Sequence, residues 1–272
     1  MIIIRGAGDL STGTIHRLFC AGFPVLALET ERPAAIRRQV AFSEAIYDGT
    51  ATVEGVTAVR IRTAEEAEDT WRQGRIPLLA DPAGDCIRQL KPEAVVDAIL
   101  AKKNLGTHRA MAPLTIALGP GFEAGKDVDY VIETMRGHNL GRIITSGFAA
   151  PNTGIPGIIG GYGAERVIHS PGTGVFRPAR AIADEVAAGD VIGMVESPEG
   201  EIPVVTVISG ILRGILRDGY PVPKGFKLAD VDPRLEEKKN CFTISDKARC
   251  IAGSVLELVT AQRVKRGMLP NG

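Results

Sequence analysis

Apolar runs of strand length alternate with helical periodicities along the first half of the chain. The runs that predict strands are residues 1–5, 24–29, 76–80, 94–100, 114–118 and 142–145. The patterns that predict helices cover residues 10–21, a capping box at 63–66, and residues 127–136. Residues 45–54 predict a hairpin with its turn at 48–49. Strands that alternate with helices in this way indicate a mostly parallel sheet.

A glycine-rich turn over residues 6–9 follows the first predicted strand and opens the first predicted helix. Such glycines let a pyrophosphate approach a helix N-terminus, whose N–H groups and dipole favour anions. An acidic residue at the end of the second strand would bond a ribose hydroxyl. We therefore expect a Rossmann-like site whose cofactor-binding residues include Gly6, Gly8, Asp9, Gly13 and Glu29. The alternative is a Rossmann-like turn that no longer holds a nucleotide, since the third glycine comes two positions late.

Residues 168–231 change character and contain an internal repeat. Gly174, Val186 and Gly189 are matched, 36 positions later, by Gly210, Val222 and Gly225. This repeat resembles the two interlocking halves of a biotinyl/lipoyl-type barrel-sandwich domain. The segment between the halves, residues 195–203, contains no lysine. The resemblance therefore implies the fold without attached biotin or lipoate.

The last segment begins with a polar linker and continues as one amphipathic helix. Ser245 and Asp246 cap this helix, which is predicted to reach about residue 264. A single helix of this kind needs a partner surface, so we expect it to pack back onto the first domain. The predicted domains are residues 1–165 (Rossmann-like α/β), an inserted barrel-sandwich-like β-domain at 166–233, and 234–272 (linker and C-terminal helix).

The amino-acid composition argues against several classes of function. The 32 basic and 32 acidic residues cancel, so no nucleic-acid or membrane partner is predicted. No apolar run approaches the roughly 18 residues of a membrane helix, and no secretory leader is apparent. The four cysteines have no metal-ligand spacing, so we predict no metal site and a cytoplasmic location.

Two further loops follow predicted strands. Lys102 and Asn104 could hold phosphate, although paired lysines are usually solvated surface residues. Gly119 and Gly121 could expose backbone N–H groups to a ligand, or could simply form a tight connection. Lys102, Gly119 and Gly121 are therefore predicted cofactor contacts, and Asn104 a predicted catalytic residue.

The densest group of polar residues lies within residues 133–142. Arg136 can grip an anion, His138 can transfer a proton near neutral pH, and Asn139 lies beside them. A helix C-terminus gathers arginine, histidine and glycine for dipole reasons, which is the alternative explanation. We predict Arg136, His138 and Asn139 as catalytic residues.

These motifs together resemble one bacterial family. In chain order they are residues 4–10, 102–107, 119–122, 133–142, 152–156 and 240–248. The set resembles the YqeB-type accessory proteins of the selenium-dependent molybdenum hydroxylase system. Residues 251–257 are also similar to a stretch of XdhC/CoxI-type proteins, which handle the molybdenum cofactor. The resemblance implies a maturation factor that works on a hydroxylase apoenzyme.

The leading hypothesis from the sequence is a cytoplasmic accessory protein for a selenium-dependent molybdenum hydroxylase. It would bind a molybdopterin-type cofactor or a dinucleotide such as NAD(P). The alternatives are an NAD(P)-dependent oxidoreductase with an inserted β-domain and a ligand-free scaffold. The sequence leaves open whether the protein catalyses a reaction and whether it forms a homo-oligomer.

Overall fold

The computed structural model describes residues 1–154 and 157–268, and the chain divides into two compact units. Unit 1 contains Met1–Pro33, Ala41–Thr153 and the chain from Ile244 onward. Unit 2 contains Ala34–Val40 and Gly154–Thr243. These boundaries differ from the predicted domains, because a short segment of the N-terminal third belongs to unit 2.

Unit 1 alternates strands and helices along most of its length. Its strands are β1 (Ile2–Arg5), β2 (Val25–Glu29), β3 (Thr50–Val53), β4 (Val56–Ile61), β5 (Ile76–Ala80), β6 (Ala94–Asp97), β7 (Thr115–Leu118), β8 (Glu123–Ala124), β9 (Tyr130–Ile132), β10 (Ile143–Ile144) and β11 (Gly147–Phe148). Its helices are α1 (Asp9–Cys20), α2 (Ala45–Asp48), α3 (Ala67–Arg72), α4 (Cys86–Leu90) and α5 (Asp246–Lys265).

Nine of these strands form one mixed sheet in the order β10-β9-β7-β6-β1-β2-β5-β4-β3. The seven strands from β9 to β4 run parallel, whereas the edge strands β3 and β10 pair antiparallel with their neighbours. The first three isoleucines of β1 are fully buried, as expected for a central parallel strand covered on both faces. From β1 the chain moves to β2 on one side and later returns to β6 on the other. The carboxyl ends of these strands therefore form a topological switch point, where ligands commonly bind in such sheets.

Helices α1 and α5 pack side by side and run in the same direction. Near their starts, Gly13 of α1 lies against Ala248 of α5. Near their ends, the Arg263 guanidinium of α5 lies 4.2 Å from the ring of Phe23, which follows α1. Ser245 caps α5 by accepting a hydrogen bond from the Ala248 N–H at 3.2 Å. Both helices therefore begin at the carboxyl edge of the sheet.

Unit 2 consists of two four-stranded antiparallel sheets. Its strands are β12 (Val167–His169), β13 (Gly174–Pro178), β14 (Glu185–Val186), β15 (Val191–Ser197), β16 (Gly200–Val205), β17 (Gly210–Ile215), β18 (Tyr220–Val222) and β19 (Lys227–Asp232). One sheet has the order β12-β19-β17-β14 and the other β16-β15-β13-β18. The two halves of the repeat pair crosswise, β13 with β18 and β14 with β17.

The predicted fold class is wrong. The large sheet is mixed, because hairpins add an antiparallel strand at each edge. Residues 166–233 are not a self-contained biotinyl/lipoyl-type barrel-sandwich domain, because their two antiparallel sheets are completed by chain from outside this range. Ile36 accepts a hydrogen bond from the Ile215 N–H at 2.9 Å, and Cys241 is buried in the same core.

Two local predictions also fail. The hairpin turn lies at Glu54-Gly55, where both residues have positive φ, and residues 45–48 are helical. No helix covers residues 127–136, where β9 continues the large sheet. The apolar residues there have a spacing that suits either element, and pairing with β7 decides between them.

Candidate functional site

The glycine turn connects β1 to α1 at the switch point. Glu29, the last residue of β2, accepts a hydrogen bond from the Ala7 N–H at 2.8 Å through Oε2. Its other oxygen accepts from the Thr30 N–H at 2.8 Å. Burial raises the pKa of Glu29, although these two N–H groups act in the opposite direction. The structure thus places the predicted acidic residue directly beside the predicted turn.

At four of the five glycines predicted to contact a cofactor, the space beside the Cα atom is filled by other residues of the protein. A Cβ atom at Gly6 would lie 2.8 Å from the Ala98 carbonyl oxygen, and one at Gly13 would lie 2.7 Å from the Ala248 Cβ. At Gly119 the obstacle is the Thr134 side chain, at 2.6 Å, and at Gly121 it is the Lys103 backbone, at 2.7 Å. These glycines let neighbouring loops and helices approach closely.

Gly8 differs from these four glycines. It precedes the first residue of α1 with φ −66° and ψ −175°, which any residue can adopt, and nothing lies within 4 Å of its Cβ position. Asp9 then begins the helix, and its Oδ1 accepts from the Leu10 N–H at 2.7 Å. The approach to the start of α1 is therefore open at Gly8.

In the loop after β6, hydrogen bonds of the Asn104 side chain to the loop backbone stabilise the conformation of the loop. The Asn104 side chain donates to the Thr107 carbonyl and accepts from the Gly106 and Thr107 N–H groups, all at 2.8 Å. The Thr107 hydroxyl in turn accepts from buried Arg5 and donates to buried Asp97. Asn104 is thus committed to the loop. Lys102 is exposed in the same loop, with a left-handed φ of 62°.

The loop over residues 133–142 is held by the carboxylate of Glu133. Its two oxygens accept from the N–H groups of Met135 and Ala150, each at 2.7 Å. Arg136 forms a bidentate ion pair with Asp246 at the start of α5, at 2.8 and 2.9 Å. His138 and Asn139 are exposed. Of the predicted catalytic residues, Arg136 is the one whose side chain is shown in contact with the start of α5, through Asp246.

Lys247 is a candidate site residue that the sequence did not reveal. It follows Asp246 in the first turn of α5 and is partly buried. Burial and the neighbouring Arg136 lower its pKa, whereas Asp9, Glu133 and Asp246 oppose this shift. Asp9 and Lys247 are far apart in sequence, so only the packing of α5 on α1 reveals their proximity.

A cleft of about 690 Å³ opens at the carboxyl ends of β4 and β5. Its polar side chains are Glu31, Arg60 and Arg62, and its remaining lining residues are Gly49, Ile61, Leu79 and Ala80. Ala80 is paired with Glu29 in the sheet, so the cleft begins next to the glycine turn. Its volume lies in the range of roughly 300–1,000 Å³ that is usual for small-molecule sites.

Within the described ranges, no three His, Cys, Asp or Glu side chains are grouped closely enough to hold a metal ion. In the same ranges, no helix combines the length and apolar character needed to cross a membrane. Of the motif at 152–156, Ile155 and Pro156 lie outside the described residues.

Comparison with protein-family models gives no match. Among curated proteins, the chain is 50% identical over 257 residues to the uncharacterized protein YqeB of Escherichia coli strain K12. The match covers 94% of this chain and 47% of that protein, so the chain spans about half the length of the curated relative. That name mentions no hydroxylase, and the resemblance to YqeB-type accessory proteins stays a prediction.

Three solved structures illustrate the structural matches. An aspartoacylase family protein from Mesorhizobium loti gives a TM-score of 0.30 at 14% identity, covering 86% of this chain and 85% of that one. A succinylglutamate desuccinylase from Silicibacter gives 0.26 at 13% identity, covering 85% and 84%. A succinylglutamate desuccinylase/aspartoacylase from Rhodobacter sphaeroides gives 0.23 at 25% identity, covering 25% and 22%. Scores this low transfer neither a fold nor an activity to this chain.

These neighbours bear on the predicted function by their names alone. They are named as desuccinylases and aspartoacylases, and none of the three is an accessory protein of a molybdenum hydroxylase. The names of these neighbours disagree with the predicted selenium-dependent hydroxylase maturation factor, and that function is not proposed for this chain. The predicted apoenzyme partner stays a prediction. A function for this chain is therefore proposed from the geometry of the site in unit 1.

Proposed function

We propose that unit 1 binds a small phosphate ester at the start of α1, beside Glu29. This is the group that NAD(P) and a molybdopterin-type cofactor, both expected from the sequence, have in common. The observation that carries the proposal is Gly8, because the Cβ position of this glycine faces open space at a helix N-terminus. A substitution there would fill space that a ligand needs without disturbing the protein itself.

The start of α1 supplies donors for the phosphate oxygens. The first N–H groups of any α-helix lack partners within the helix, and the dipole favours an anion there. The Ala7 N–H is already bound by Glu29 and the Leu10 N–H by Asp9, so the phosphate is assigned to the other N–H groups of the first turn of α1. Helix α1 has 12 residues, which is long enough for this effect to develop.

Glu29 supports a ligand that carries hydroxyl groups. Each carboxylate oxygen already accepts one N–H hydrogen bond and retains a second lone pair for a hydroxyl donor. The cleft begins at the strand pair formed by Glu29 and Ala80, and Ile61 and Leu79 are among its lining residues. A nucleotide would thus place its phosphate at Gly8, its ribose at Glu29 and its base in the cleft.

Titration calorimetry with ADP, NAD⁺ and NADP⁺ tests this proposal. Wild-type protein should bind at least one of them, and Gly8→Val should weaken that binding at least tenfold, about 1.4 kcal/mol. Gly253→Ala is the matched control, because its Cβ position in α5 is also open. This variant should bind like the wild type. Equal affinity of Gly8→Val and wild type would refute the assignment, and wild-type protein that binds none of the three would exclude a nucleotide as the ligand.

A molybdopterin-type ligand requires a separate test. Protein purified without oxygen and then denatured should release its bound phosphate ester for identification by mass spectrometry. A pterin phosphate would select the molybdopterin-type cofactor, and an adenine nucleotide would select NAD(P) or a related compound. Release of the same compound from Gly8→Val in equal amount would contradict binding at Gly8.

We further propose a cytoplasmic location. All four cysteines have free thiols, and Cys241 is buried in the core of unit 2, as is typical of proteins in a reducing compartment. Fractionation of cells that produce the protein should recover it with cytoplasmic markers, and recovery with secreted or periplasmic markers would contradict the proposal.

A further inference from the structure

We propose that the cleft at the ends of β4 and β5 recognises the 2-amino-4-oxopyrimidine ring of guanine, so that the protein prefers guanine nucleotides to adenine nucleotides. The residues assigned to this preference are Glu31, Arg60 and Arg62, which are the charged residues that line the cleft. The inference rests on the proposed function, which places the base of a nucleotide in this cleft, and it names the class of base.

The negative and the positive charges of the cleft come from opposite sides of β5. In the large sheet, β5 lies between β2 and β4. Glu31 follows the end of β2 by two residues, whereas Arg60 lies in β4 and Arg62 directly follows it. Leu79 and Ala80 of β5 line the cleft between them. Two strand spacings separate β2 from β4, about 10 Å, which leaves room for a flat ring with a hydrogen-bonding group on either side.

The three charged side chains do not neutralise one another, although they line the same cleft. Among the residues that the structure describes, the side chains of Glu31 and Arg62 form no hydrogen bond or ion pair. Arg60 donates through Nη1 to the Ile46 carbonyl at 2.7 Å, and its remaining N–H groups have no partner in the same part of the chain. All three residues are exposed, so a ligand can reach them from solvent. One carboxylate and two guanidiniums are thus available to a ligand.

The backbone that carries the two arginines is held by hydrogen bonds of its own. The Arg60 N–H donates to the Gly49 carbonyl at 2.8 Å, and the Arg62 N–H donates to Oε1 of Glu66 at 3.2 Å. These contacts fix the positions from which the guanidiniums extend without using the guanidiniums themselves. A site whose supporting backbone is already ordered loses less entropy when a ligand binds.

Guanine matches this arrangement of donors and acceptors on two of its edges. Its N1–H and its amino group both donate, and the two oxygens of a carboxylate such as Glu31 can accept them together. Its O6 and N7 both accept, which is the pair that an arginine binds bidentately. Adenine has one donor and one acceptor on each of the corresponding edges. One atom of each adenine pair would therefore face a group of its own kind.

Titration calorimetry of the full chain with GDP and ADP tests the inference. The two ligands share their ribose and diphosphate, so a difference between their affinities reports the base alone. The variants are Glu31→Gln and Arg62→Gln; Arg62 is chosen over Arg60, which also holds the protein backbone. The matched controls Glu68→Gln and Arg72→Gln remove the same charges in α3, outside the lining of the cleft. All four substituted positions are exposed, and thermal unfolding checks that the variants are folded.

We expect wild-type protein to bind GDP at least about tenfold more tightly than ADP, because a bidentate contact discriminates between bases by this order. Glu31→Gln should weaken GDP binding at least about tenfold and change ADP binding by less than about twofold, because a carboxamide offers one donor and one acceptor to adenine. Arg62→Gln should also weaken GDP binding more than ADP binding. Both controls should behave like the wild type.

ADP that binds wild-type protein as tightly as GDP would overturn the inference and leave the proposed function intact. Equal losses of GDP and ADP affinity in Glu31→Gln would also overturn it, because they would indicate a structural role. Wild-type protein that binds neither ligand would overturn the inference and exclude a nucleotide as the ligand of the proposed site.

Pterins carry the same 2-amino-4-oxopyrimidine ring, and the compound released from denatured protein distinguishes the two sources. A guanine nucleotide or a pterin phosphate would support recognition by the cleft and identify which of them is bound. An adenine nucleotide would contradict it.

Discussion

Gly13 and Ala248 provide a stability test of the packing that brings α1 and α5 together. The alanine substitution Gly13→Ala would place a Cβ 2.7 Å from the Ala248 Cβ, whereas carbon atoms in contact are normally about 3.5–4.0 Å apart. Such overpacking typically costs about 1–3 kcal/mol. Alanine is better than glycine in a helix by about 1 kcal/mol, so the net loss in Gly13→Ala is about 0–2 kcal/mol.

A double-mutant cycle of Gly13→Ala with Ala248→Gly separates the contact between the two Cβ atoms from the difference in helix propensity between alanine and glycine. The helix propensities of the two positions cancel in the cycle, and the coupling energy reports the contact between the two Cβ atoms. Ala248→Gly takes away the nearest atom, although the Ala248 carbonyl group would remain 3.1 Å from the new Cβ. The relief is therefore partial, and we expect a coupling energy of about 1 kcal/mol or more.

Urea unfolding of the wild type, both single variants and the double variant measures this coupling. Additive effects within about 0.5 kcal/mol would refute the close contact and the reasoning built on it. Calorimetry of the same proteins adds a functional comparison. Gly13→Ala, once folded, should keep its nucleotide affinity, because Gly13 is a packing residue and not a ligand contact.

Two further predictions concern ion pairs of unit 1. Burial opposes ionisation of Glu93, but the hydrogen bond from Arg263 and the Met1 ammonium outweigh it and lower the pKa of Glu93. A carboxyl whose folded pKa is depressed stabilises the fold above its unfolded pKa and loses that contribution as pH falls through the folded value. Urea unfolding should therefore show Glu93→Gln less stable than wild type at pH 7 and similar to it near pH 2; a difference that persists in acid would contradict this. Arg136→Ala should cost at most about 1 kcal/mol, because its pair with Asp246 is exposed, at 45% and 74% of the two side chains. A loss above 2 kcal/mol in thermal or urea unfolding would show that this ion pair is more than a surface contact.

Local chemistry made part of the site predictable from the sequence. The apolar run of β1, the glycine turn and the start of α1 follow one another within residues 2–20, and each signal depends only on near neighbours. Glu29 was found because strand β2 ends where an acidic residue commonly meets such a turn. The capping box at Thr63 and the cap of α5 at Ser245 are likewise local, and both are present.

Tertiary contacts decide the features that the sequence did not reveal. Gly6 and Gly13 have the spacing of ligand-binding glycines, but the atoms that exclude a side chain there come from Ala98 and Ala248, far along the chain. Lys247 gives no signal of its own, since a lysine after a helix cap is ordinarily solvated. The internal repeat indicated two matched halves but not the contribution of Ile36 to the same unit.

The most direct measurement of the central claim is an ADP titration of the isotopically labelled full chain, followed through its backbone amide resonances. Binding of the phosphate at the start of α1 predicts that the amides of Gly8 and Asp9 shift most and saturate with the calorimetric affinity. Unchanged resonances of these amides at saturating ADP, or the largest shifts in unit 2, would contradict the account.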